Sequence, residues 1–335
     1  MIAPPPGTAT EVLPGLLWLR MPLPFPPSHV NLWLLEDGDG WFAIDAAGDY
    51  PDLRDHWEAI FATVLRGRPI TRVLATHFHP DHIGLAGWLC DRWNAPLLMS
   101  AAEFARATRL LGPGLEEAVA TERAFFQDCG CTPEQYTPLL GRRARYRRIV
   151  LPLPAEATIL RAGDTLTIGG RPWHIRTGQG HSPEQVMLHA PDTGVLIAAD
   201  QVLPGITPHV GINIDDPRED PLGGFLASLD ALRAVPDGGL VLPSHGAPWH
   251  GLHARITAIA AHHALRLDQL AVAGTLTAME ALPILFRRPP RDMALGFALT
   301  EAVAHLRHLV ATGRLRSDGG QGSPRVWRPA LAAAE

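Results

Sequence analysis

The stretch Thr71–Leu85, TRVLATHFHPDHIGL, places four metal-capable side chains within six residues: His77, His79, Asp81 and His82. Three imidazoles and one carboxylate suit a borderline cation such as zinc, and iron or manganese accept the same donors. A lone histidine here would read as a solvated loop residue. Four such groups directly after an apolar run would strand polar atoms beside a strand end unless a cation gathered them.

The flanking residues indicate how these groups are held. Val73-Leu74-Ala75 is a short apolar run that reads as a buried strand, stopped by Pro80, so the ligands are expected on a loop at its end. Helical spacing is expected from Ile83 to Trp93. The same arrangement recurs downstream: His181 sits in a glycine-flanked loop, Asp200 ends the apolar run 194–199, and His245 follows Leu240–Leu242. Upstream, Asp45 closes the run GWFAI. It either caps Ala46-Ala47-Gly48 or orients a metal-bound histidine.

The H-x-H-x-D-H run resembles the signature of the metallo-β-lactamase superfamily, and His181, Asp200 and His245 follow in that family's order. The resemblance implies an α/β fold, an αββα sandwich over residues 11–250 with a helical cap at about 101–148. The remainder, 251–335, resembles the winged-helix tail of β-lactamase-like endoribonucleases. Carried over residue by residue, it implies His77, His79 and His181 for one divalent ion, and Asp81, His82 and His245 for a second. Asp200 would bridge them, and the orienting role of Asp45 is favoured. Asp81 would also accept a proton.

The activity so implied is hydrolysis of an ester, thioester or lactone by a metal-bridging hydroxide, with two ions, zinc before iron or manganese. Three alternatives stay open: a nuclease or phosphodiesterase, a mononuclear iron sulfur dioxygenase, and a nucleic-acid-binding module with a structural metal. Antibiotic-hydrolysing members of the superfamily commonly carry Cys where this chain has Asp200. Flavo-diiron members have Glu where it has His79. Glyoxalase II resembles it in ligand set, but no glutathione-binding cluster stands out.

Composition narrows the partners. The 335 residues, 46% hydrophobic, allow one large domain of about 250 residues and a small one. The net charge of −5 gives no general case for nucleic acid or an anionic membrane. No apolar run reaches the roughly 18 residues of a membrane span. The N-terminus lacks the regions of a secretory signal, so the cytoplasm is the expected compartment. All 29 basic side chains are arginine, which excludes lysine Schiff-base chemistry. Cys90, Cys129 and Cys131 are too few and too irregular for a disulfide framework.

Strands are expected at 11–20, 29–36, 40–45, 96–99, 164–168, 172–176, 186–189, 194–199 and 240–242. Helices are expected at 52–66, 252–273, 278–287 and 295–312. The tail 313–328 reads as strand, turn, strand. Arg142, Arg143, Arg145, Arg147 and Arg148 form the sharpest charge run, either a solvated helix face or a sleeve for an anionic small-molecule substrate. His209, shortly after Asp200, is a candidate to reach the substrate, and one of His262 and His263 a weaker one. The tail is expected to pack rather than bind nucleic acid, and the protein to form a homodimer.

Overall fold

The computed structural model describes residues 1–216, 219–320 and 323–330. The chain divides into two compact units. The first comprises Met1–Pro113, Arg145–Pro208 and Ala231–Arg255.

Two mixed sheets form the frame of this unit. The first runs in chain order through β1 (Ala9–Leu13), β2 (Leu16–Pro22), β3 (His29–Asp37), β4 (Gly40–Ile44), β5 (Ile70–Leu74), β6 (Leu97–Ser100) and β7 (Thr158–Leu160). Its early strands pair antiparallel, and β4 to β7 pair parallel. The second contains β8 (Thr165–Ile168), β9 (Arg171–Gly178), β10 (Gln185–Ala190), β11 (Val195–Ala199) and β12 (Val241–Pro243), in the order β12-β11-β10-β9-β8.

Alternation along the strands sorts side chains between two cores. From β3 and β4, Trp33, Leu35, Phe42 and Ile44 enter a core shared with Trp173, Ile175, Val186, Leu188 and Ile197 of the second sheet. Trp18 and Trp33 stack there with ring centroids 6.0 Å apart. The alternate residues Val30, Leu32, Leu34 and Ala43 face the other way. They pack with Leu53, Trp57 and Ile60 of α1 (Leu53–Ile60) and with Ala86 and Leu89. The result is the expected α/β sandwich of two mixed sheets.

Two local expectations change. The strand expected over 11–20 is a hairpin, because Pro14-Gly15 turns the chain and Gly15 takes φ 74°. The helix expected from Ile83 breaks into α2 (Pro80–Ile83) and α3 (Ala86–Trp93). At the break, a Cβ on Gly84 would lie 2.5 Å from both Gly48 Cα and the Ile149 carbonyl, so three backbone segments meet only because residue 84 is glycine. Asp81 and His82 therefore sit on a helical turn rather than a loop, with Pro80 at the first helical position, where its missing N–H costs nothing. Beyond β6 come α4 (Ala101–Leu111), α5 (Leu115–Asp128), α6 (Pro133–Tyr136) and α7 (Arg142–Ile149).

The second unit comprises Gly114–Ala144, His209–Asp230 and Ile256–Glu335. It contains α5, α6, α8 (Pro221–Ala231) up to its last residue, most of α9 (Leu252–Ala271), α10 (Ala278–Leu285) and α11 (Met293–Ala311). It also holds β13 (Leu315–Asp318) and β14 (Val326–Pro329), which pair antiparallel; residues 321–322 of the expected strand-turn-strand tail lie outside the described residues. Besides Ile256 onward, this unit takes in 114–144, which lies within the expected cap, and the segment 209–230. Among the described residues no helix is long and apolar enough to cross a membrane.

Candidate metal centre

All seven expected ligands lie in the first unit, and the structure groups their ligand atoms in three overlapping sets. His77 Nε2, His79 Nδ1 and His181 Nε2 form a triangle with sides of 2.9, 2.9 and 3.3 Å. Nitrogens held at about 2.0–2.1 Å on a tetrahedral cation stand roughly 3.3 Å apart. Asp81 Oδ2 lies 3.6 Å from His82 Nε2 and 3.5 Å from His245 Nε2. Asp200 Oδ2 joins the sets: it is 3.3 Å from His181 Nε2, 3.4 Å from His245 Nε2 and 3.7 Å from His82 Nε2.

Hydrogen bonds outside the cluster turn lone pairs inward. Asp45 is buried, and its carboxylate accepts the Thr76 N–H at 2.7 Å and the Thr76 hydroxyl at 2.9 Å. The same carboxylate accepts His82 Nδ1–H at 2.8 Å, which turns Nε2 towards the cluster. Because the Thr76 hydroxyl proton goes to Asp45, its oxygen accepts His77 Nδ1–H at 3.0 Å, and His77 Nε2 also faces inward as a lone pair. Asp45 thus orients one histidine of each set, the second of the two roles open to it.

His245 donates Nδ1–H to the His29 carbonyl at 2.7 Å, and His29 Nε2 accepts the Gly246 N–H at 2.8 Å. Burial, with Arg20 and His245 nearby, pushes His29 down to about 4, in keeping with an acceptor nitrogen. Asn31 fastens the same loop by donating to the Pro243 and Gly246 carbonyls at 2.9 and 2.8 Å. Gly180 takes φ 98° just before His181, a conformation that glycine adopts without strain.

The cluster fits divalent cations on its own chemistry. Two of its buried atoms, His82 Nε2 and Asp200 Oδ1, have no hydrogen-bond partner among the described residues. Such orphans are costly unless something outside the chain satisfies them. Burial and the neighbouring imidazoles of His82, His79 and His181 hold His77 well below the usual imidazole range, as suits a neutral ligand. Burial also lowers His82, but the carboxylates of Asp81, Asp45 and Asp200 outweigh it and hold the ring well above that range; the group is a proton site that a cation can replace.

His209 lies in the second unit, with Nδ1 3.3 Å from Glu301 Oε2 and Nε2 3.3 Å from the Thr300 hydroxyl. His262 and His263 are in the same unit; His263 is buried, 3.1 Å from His305 Nε2. The arginine run forms α7, in which Tyr146 is buried and Arg147 and Arg148 are exposed. The three cysteines are free and buried.

The sequence reading gives no site role to Glu103, His29 or Tyr146. Tyr146 donates to the Phe78 carbonyl at 2.8 Å, which ties α7 to the ligand loop. Ser100-x-x-Glu103 has the pattern of a capping box, yet only Ser100 behaves so, accepting the Glu103 N–H at 3.4 Å. The Glu103 side chain turns to the ligand loops instead.

Comparison with known proteins agrees with this geometry. The metallo-beta-lactamase superfamily model matches residues 25–245, and the metallo-beta-lactamase-like C-terminal domain matches residues 266–329. A solved beta-lactamase domain protein from Burkholderia ambifaria is 40% identical with a TM-score of 0.91, covering 98% of this chain and 96% of its own. The probable metallo-hydrolase YqgX of Bacillus subtilis is 25% identical over 68% of this chain and 90% of its own length. The acyl-coenzyme A thioesterase MBLAC2 of Gallus gallus is 27% identical over 69% of this chain and 77% of its own. With the family model covering residues 25–245, which include all seven ligands, the chain belongs to the metallo-β-lactamase superfamily, as a metallo-hydrolase with a metallo-beta-lactamase-like C-terminal domain.

Proposed function

We propose that the protein is a dinuclear zinc hydrolase acting on a thioester of an anionic carrier, within the wider class of esters, thioesters and lactones. One observation carries the two-ion reading. Asp200 Oδ2 lies 3.3 Å from a nitrogen of the three-imidazole set and 3.4 Å from a nitrogen of the Asp81–His82–His245 set. A site for one cation has no need of a carboxylate oxygen shared between two donor sets.

When bound, the cations supply an acidified water and an electrophile for the substrate carbonyl. The chain's own residues do the rest. Asp81, the more exposed of the two carboxylates, is placed to take a proton from the attacking water. Water adds to the carbonyl, the C–S bond breaks, and the thiol departs with a proton while the acid remains. His77, His82 and His245 are each fixed through Nδ1, so the cluster needs little rearrangement during turnover.

Two observations favour a thioester of an anionic carrier: the similarity to an acyl-coenzyme A thioesterase, and the exposed Arg147 and Arg148 on a helix fastened to the ligand loop by Tyr146. The C-terminal helices and hairpin are proposed as a winged helix that packs rather than reads nucleic acid, consistent with the net charge of −5.

A panel of acyl-coenzyme A thioesters, lactones and phosphodiesters tests the assignment on zinc-loaded protein. Thioester turnover, lost in His79→Ala, is expected. Cleavage of phosphodiesters alone would replace this reading with a nuclease, and no turnover of any would remove the hydrolase assignment.

A further inference from the structure

The loops bearing the three-imidazole set are joined by a carboxylate that is not itself a ligand. Glu103, in the first turn of α4, is fully buried. Its Oε2 accepts the N–H of Phe78 at 2.9 Å, the residue between His77 and His79. Its Oε1 accepts the Ser182 hydroxyl at 2.6 Å and the Glu184 N–H at 2.7 Å, directly beyond His181. Ser100, one turn earlier, donates to the Glu184 carbonyl at 2.8 Å. The Phe78 carbonyl is held in turn by Tyr146, so Phe78 is fixed through both its N–H and its carbonyl.

Packing alone does not account for a carboxylate here. Burying one is costly, and an apolar side chain would fill the space without that cost. Glu103 supplies acceptors on both its oxygens: one for the loop after β5, the other for the loop before β10. We propose that Glu103 is a positioning residue that couples these two loops, holds His77, His79 and His181 in register, and thereby sets the affinity of that ion site without acting on the Asp81–His82–His245 site. The inference rests on the metal-centre reading above.

Glu103→Gln separates coupling from packing. The glutamine has the same shape but one oxygen, so whichever loop keeps its acceptor, the other meets an amide N–H with its own donor. Stepwise zinc titration against a competing chelator should show one ion bound about 10- to 100-fold more weakly than in the wild type, the other unchanged. In the metal-free proteins, hydrogen exchange at the Phe78 or Glu184 amide should accelerate in the variant while β3 and β4 keep their protection. Wild-type affinity for both ions together with unchanged exchange at both amides would overturn the proposal, whatever the melting temperature.

Should Glu103→Gln fail to fold, Ser182→Ala removes a single donor, and a smaller loss at one ion site is expected; no loss there overturns the proposal. If the wild type itself binds no ion, the metal-centre reading fails, and the exchange measurement alone decides the coupling.

Discussion

His82 Nδ1 lies 2.8 Å from Asp45 Oδ2, and this contact determines which nitrogen of His82 faces the ligand cluster. The same carboxylate reaches His77 through Thr76, so one buried acid orients a histidine in each of two donor sets.

Replacing Asp45 should therefore weaken both ion sites together. In Asp45→Asn the amide can satisfy only some of these donors, and His82 is no longer held in one tautomer. Metal affinity, read by chelator competition, should fall about 10- to 100-fold, with kcat falling in parallel. Wild-type affinity at both sites would show that Asp45 serves only as a turn residue.

Charge reversal on α7 tests the anionic-carrier reading. Arg147→Glu combined with Arg148→Glu alters two exposed side chains and leaves the buried Tyr146 in place. KM for an acyl-coenzyme A should rise several-fold while kcat holds, and the salt dependence of KM should diminish. An unchanged KM assigns both arginines to a solvated face.

Both ring nitrogens of His209 lie 3.3 Å from a partner, Glu301 or Thr300. His209→Ala should accordingly lower kcat by less than about tenfold, well short of the roughly 10²- to 10⁴-fold expected on losing a general acid or base. A larger loss, with a shifted pH–rate profile, would place His209 in the chemistry.

His263 contributes an acid-sensitive limb to the stability of the second unit. Burial first, and then His305, push this imidazole from its ordinary 6.5 down to about 3. Between those values the unfolded chain takes up a proton that the folded one refuses, so stability rises with pH across the window. Stability should be full above about pH 6.5 and fall progressively as pH drops from about 6.5 towards about 3. His263→Leu should flatten that limb in denaturant melts; an unchanged limb would assign the acid sensitivity to other groups.

The ligands were legible in the sequence because a metal-binding residue type coincides with a local signal. For His77, Asp200 and His245 that signal is an apolar run ending just before them, and for His181 it is the glycines that precede it. The sandwich was legible for a similar reason, since period-two patterns such as Trp33 and Leu35 against Leu32 and Leu34 are local. Glu103 and His29 carry no comparable mark. Phe78 is 25 positions from Glu103, and His245 is 216 from His29, so only the folded chain joins them. Ser100-x-x-Glu103 even suggests a different use for the acid. The grouping of 114–144 and 209–230 with the C-terminal region is also a product of tertiary contacts that no single segment encodes.

In the proposed function, one cluster holds two divalent cations across a shared Asp200. The most direct measurement is the number of zinc ions retained per chain, by elemental analysis after equilibration with zinc and removal of excess, in the wild type and in Asp200→Ala. Two ions in the wild type, and a weakened pair in the variant, are predicted. A single ion in the wild type, unaffected by loss of Asp200, would contradict it.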